Sequence, residues 1–111
     1  MTNKLSLDAV AREQLKIAGS ATSGRSAETV YGGHEKVLRQ TLIALTAGTK
    51  LAEHENPGEA TLLVVLGRIQ LSAGDDHWDG RPSDLIVIPA ARHSLEALED
   101  SAVLLTVAKN S

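Results

Sequence analysis

With 111 residues and a formal net charge of −3, the chain is long enough for one domain with a real core, since folding at this size buries roughly two-thirds of the surface the unfolded chain exposes. It contains no cysteine, which excludes disulfides, thiolate zinc sites and a Cys nucleophile. Lys and Arg nowhere cluster, so the concentrated positive charge that a nucleic-acid-binding face needs is missing.

The first 16 residues are charged and lack an apolar run, unlike a secretory signal. The longest apolar stretch, residues 62–66, is far too short to cross a bilayer. A cytoplasmic location without membrane contact is expected. Residues 7–18 carry helical spacing through Leu7, Val10, Ala11, Leu15 and Ala18, with Ser6 as cap and Gly19 as stop. The small polar stretch 20–28 then reads as a flexible linker. The expected organisation is a helix and linker over 1–28, followed by one domain over 29–111.

From Val37 the pattern changes to short β-prone runs. They cover 37–45, 60–66, 68–72, 77–79, 84–88, 93–97 and 102–108, separated by turns rich in Gly, Pro and Asp. Such spacing predicts an all-β sandwich or barrel. No alternating helices intervene, which argues against a parallel α/β sheet. With Tyr31 and Trp78 as the only aromatic residues, the core and any pocket must have aliphatic walls.

The stretch from Gly48 to Gly67, GTKLAEHENPGEATLLVVLG, carries the most information. It resembles the first motif of the cupin superfamily: Gly, five residues, His-x-His, three or four residues, Glu, six residues, Gly. His54 stands at the first His position, Asn56 at the second, and Ala60 where the Glu belongs, with Glu59 one position early. The second motif is Gly, five residues, Pro-x-Gly, two residues, His, three residues and Asn. Ser83, Pro89, Ala91, His93 and Ala97 stand at or near its positions, with one residue missing before His93. The resemblance spans residues 37–108.

The resemblance implies a small jelly-roll barrel of the double-stranded β-helix kind, with a short N-terminal helix. In that family a divalent metal is held by three His and one Glu at the barrel mouth, and Fe, Mn, Ni, Cu and Zn all suit such donors. Here it implies a ligand pocket around His54, Asn56 and His93, with His54, His93 and Glu59 as the candidate metal ligands. Asn56 is a weaker ligand than His, and Ala60 offers no donor. The one-residue offset of Glu59 would reverse its face in a regular strand, unless the Asn56-Pro57-Gly58 turn rotates it inward.

Two functions follow. One is a small-molecule-binding cupin with an incomplete metal site. The other is a metal-dependent enzyme, an oxygenase or isomerase, built on His54, His93 and either Asn56 or Glu59. A structural dimerisation module is the third option. A homodimer is expected, with the amphipathic helix covering a sheet within its own subunit or across to the partner. Other polar residues read more simply. His34 lies outside both motifs, His77 follows hairpin-turn aspartates, Trp78 covers the barrel, Arg92 is solvated in a turn, and Ser94 lacks a catalytic base.

Overall fold

Ser6 begins the helix as the spacing predicts. In the computed structural model its backbone is extended and its Oγ accepts a hydrogen bond from the Ala9 N–H at 3.2 Å. The described residues are 4–54 and 58–109, with the side chains of 53, 54 and 58 outside the description. The helix, α1 (Leu7–Ser20), runs through Gly19 and closes when the Ala21 N–H bonds to the Ala18 carbonyl at 3.2 Å. Gly19 is thus an interior residue rather than the stop. Ala11, Gln14 and Ala18 are buried, at the three- and four-residue spacing of one helical face.

Among the described residues nine strands follow: β1 (Arg25–Tyr31), β2 (Leu38–Leu45), β3 (Lys50–His54), β4 (Gly58–Leu66), β5 (Ile69–Ala73), β6 (Asp76–Gly80), β7 (Leu85–Val87), β8 (His93–Ala97) and β9 (Ser101–Lys109). They form two antiparallel sheets, one ordered β1-β2-β9-β4-β7 and the other β3-β8-β5-β6. This is the all-β, two-sheet architecture expected from residue 37 onward.

The stretch expected to be a flexible linker, 20–28, is instead the end of α1, a turn and the start of β1. Ser, Ala and Glu have weak strand preference, so their composition hid a strand imposed by tertiary contacts. Pairing with β2, register Arg25↔Leu45 to Thr29↔Thr41, holds one edge of β1. The helix holds its face: Ser26 Oγ donates to the Gln14 carbonyl at 2.7 Å, and Gln14 Nε2 donates to Glu28 Oε1 at 3.1 Å. Helix and first strand are therefore built onto the five-stranded sheet.

Alternation along the strands makes two cores. Leu45, Leu62, Val64, Ile69, Leu71 and Leu95 pack between the sheets. On the outer face of the five-stranded sheet, Leu42, Ala102 and Leu104 pack with Ala11 of α1. Leu63 and Val65 join that outer layer, so the middle of β4 is covered on both faces. This accounts for its unbroken apolar run, which a half-exposed strand would interrupt with polar residues. Among the described residues no helix is long and apolar enough to cross a membrane.

At one flank the sheets meet tightly. A Cβ on Gly80 of β6 would stand 2.8 Å from Val64 Cγ2 of β4 and 3.2 Å from Ile86 Cδ1 of β7. At the other flank, edge strands β1 and β3 border a surface groove.

Candidate functional site: a small cavity behind an open groove

Pro89 to Arg92 turn the chain into β8, where residues alternate inward and outward. His93, Leu95 and Ala97 are buried, and Ser94 and Glu96 lie on the other parity. His93 is 3% exposed. It lines a cavity of about 30 Å³ together with Ile43, Leu51, Leu62, Leu71 and Ile88, a space for no more than a water molecule or two. Its Nδ1 lies 2.9 Å from the Ala91 carbonyl oxygen. A carbonyl only accepts, so Nδ1 is the donor in this contact.

The backbone of His54 stands directly opposite His93 across the β3–β8 ladder, after a register shift that follows Leu51. Its side chain, and Asn56 entirely, lie outside the described residues. Glu59 is exposed, while its neighbour Ala60 is buried in the inter-sheet core. Adjacent strand residues point to opposite faces, so Glu59 does not share the cavity of His93. A methyl group occupies the place where the family resemblance puts the carboxylate. Among the described residues no three His, Cys, Asp or Glu come together to hold a metal ion. Those residues offer the cavity a single imidazole against aliphatic walls, which does not fit a centre of three His and one Glu.

The remaining polar candidates lie elsewhere. His34 is exposed between β1 and β2. His77 is exposed on the β5–β6 hairpin, with Nδ1 2.9 Å from Ser72 Oγ. Trp78 stands opposite Leu71 at the sheet edge and is 39% exposed. Arg92 is exposed in the turn before β8.

A second concavity carried no signal in the sequence. A groove of about 390 Å³ runs along the open flank between β1 and β3, lined by Arg25, Ala27, Thr41, Ile43 and Leu51 among others. Register explains its composition. Arg25 and Ala27 lie opposite Leu45 and Ile43, and directly opposed residues share a face. Ile43 and Leu51 also line the inner cavity, so they form a wall with the groove on one side and His93 on the other. Thr41, Ile43 and Leu45 were legible as one face of a strand by their period of two. Arg25 and Ala27 carried no such signal within a stretch that reads as a linker.

No family model matches the chain, and no curated protein matches it by sequence. Solved structures do. A cupin superfamily protein from Desulfitobacterium hafniense superposes with a TM-score of 0.78 at 16% identity, covering 99% of this chain and 94% of that one. A cupin 2 conserved barrel domain protein from Salinispora arenicola gives 0.68 at 14% identity, covering 96% and 87%. A conserved protein of unknown function from Streptococcus pyogenes gives 0.72 at 24% identity, covering 82% and 79%. Together with the two-sheet topology, these likenesses show that the chain has the fold of the cupin β-barrel proteins.

Proposed function

We propose that the chain is a small-molecule-binding cupin whose ligand sits in the groove of the open flank, against the wall that hides His93. One observation carries the reading: the groove's volume, about 390 Å³, lies within the roughly 300–1,000 Å³ usual for small-molecule sites. Its aliphatic floor of Ala27, Ile43 and Leu51, flanked by the polar Ser23, Arg25, Ser26 and Thr41, suits a ligand with both characters. The cavity behind it, at about 30 Å³, offers room for a water molecule or two. A ligand-observed NMR screen of short-chain acids, monosaccharides and nucleosides tests the reading, comparing wild type with Ala27→Trp. Ala27 is exposed on an edge strand, so Trp fills the groove without entering the core. The expected result is hits on wild type that disappear in the variant, with the thermal midpoint unchanged. Hits retained by the variant would move the site elsewhere.

A second reading, a metal-dependent enzyme, has one observation in its favour. His93 gives its Nδ1–H to a backbone carbonyl, as metal-ligating histidines commonly do, and it faces His54 in backbone register. Under that reading, protein purified without a His tag retains metal near one equivalent and loses it in His93→Gln. Metal-free wild type would remove it.

A further inference from the structure

Resting on the groove as the ligand site, we infer that it selects small carboxylic acids with an aliphatic body, the carboxylate pairing with Arg25. Three features converge. Arg25 lines the groove and forms no ion pair with any described residue, whereas Arg12 and Arg68 pair with Asp8 and Asp79. Its position is fixed by the backbone. The left-handed Gly24 (φ +73°) turns the chain into β1, and the Arg25 N–H donates to Ser23 Oγ at 3.4 Å. The guanidinium therefore extends from an ordered strand start, and its planar fork suits a carboxylate with two parallel hydrogen bonds.

The floor decides the rest of the ligand. Ala27, Ile43 and Leu51 are aliphatic, and no aromatic ring lines the groove among the described residues. An aliphatic body gains from burial there by the area it removes from water. An aromatic ring would find no stacking partner. The chain's net charge of −3 gives no general attraction for anions, so discrimination by charge must come from Arg25 itself.

Amide-detected NMR titrations with hexanoate, 1-hexanol and hexylammonium measure this on wild type, Arg25→Lys and Arg25→Gln. Wild type should bind hexanoate about tenfold more tightly than the other two, the worth of one partly exposed charge-assisted pair. Arg25→Gln should level the three affinities. Arg25→Lys should keep part of the preference, because charge survives without the fork. Arg25 is exposed, so all three proteins should melt at the same temperature.

Equal binding of hexanol and hexanoate by wild type would overturn the carboxylate preference while leaving the groove as a ligand site. Absence of shifts with every probe would overturn both. A second copy of the chain is the competing occupant of this exposed edge. Light scattering that shows a dimer, converted to monomer by Ala27→Trp, with no hexanoate shifts, would assign the groove to self-association and overturn the proposal.

Discussion

Gly67→Ala should cost about 3–4 kcal/mol of stability, more than an ordinary surface change by an order of magnitude. Gly67 links β4 to β5 with φ at +79°, a left-handed conformation that alone costs an L-residue about 1–2 kcal/mol. An added Cβ would also fall on the Asp100 carbonyl oxygen and Ser101 Oγ, and 2.7 Å from Ser101 Cα. Backbone atoms cannot rotate away as a side chain can. The corner they belong to is tied down as well. Ser101 is fully buried, its Oγ accepts from the Arg68 N–H at 3.0 Å, and it lies 2.7 Å from the Glu99 carbonyl. Gly48→Ala separates the two causes. Gly48 has φ of +87° but nothing within 4 Å of the added Cβ, so only the conformational cost of about 1–2 kcal/mol should remain. Denaturant unfolding of both variants checks the difference. Equal losses would mean that the β4–β5 turn is not pressed against the β8–β9 corner.

Ala11→Asp should be comparably damaging, at about 3 kcal/mol or more, or should prevent folding. Ala11 is fully buried between α1 and the five-stranded sheet, against Leu42, Ala102 and Leu104. An ionised carboxylate there has no cation or donor in that apolar cluster. The control is Glu13→Asp on the exposed side of the same helix, which should stay within about 0.5 kcal/mol. Circular dichroism and urea unfolding read both. A folded Ala11→Asp protein of near-normal stability would mean that the helix does not dock on its own sheet. Of the two placements open from sequence, covering its own subunit's sheet or a partner's, the contacts of α1 with β1, β2, β4 and β9 correspond to the first.

How much was legible depended on how strongly each signal was local. The strand His93–Ala97 was read to the residue, because a turn precedes it and its inward residues alternate cleanly. The helix start was fixed by Ser6, a residue whose hydroxyl has one obvious use there. Gln14 was invisible as a buried residue. A polar side chain on the inner face makes sense only once Glu28 and the outer sheet stand beside it. β1 was missed for a related reason, since its pairing partner lies beyond the intervening turn and its own residues have weak strand preference.

The site divided in the same way. Matching the family motifs puts His54 and His93 on different hairpins, at the two positions that meet at a barrel mouth; their backbones pair across β3 and β8, while the side chain of His54 lies outside the described residues. Strand parity fixed the face of Glu59. The groove needed the register of β1 against β2, a non-local quantity that no stretch of sequence encodes alone.

The account's central claim is that ligand binds at the flank where β1 and β3 border the groove. Methyl NMR of Ala, Ile, Leu and Val residues, recorded while titrating hexanoate and the hits of the ligand screen, tests it most directly. Shifts should concentrate at Ala27, Ile43 and Leu51, with Leu85 and Val87, which are exposed on β7 at the opposite edge of the same sheet, left unmoved. Shifts centred on Leu85 and Val87, with the groove methyls silent, would contradict it.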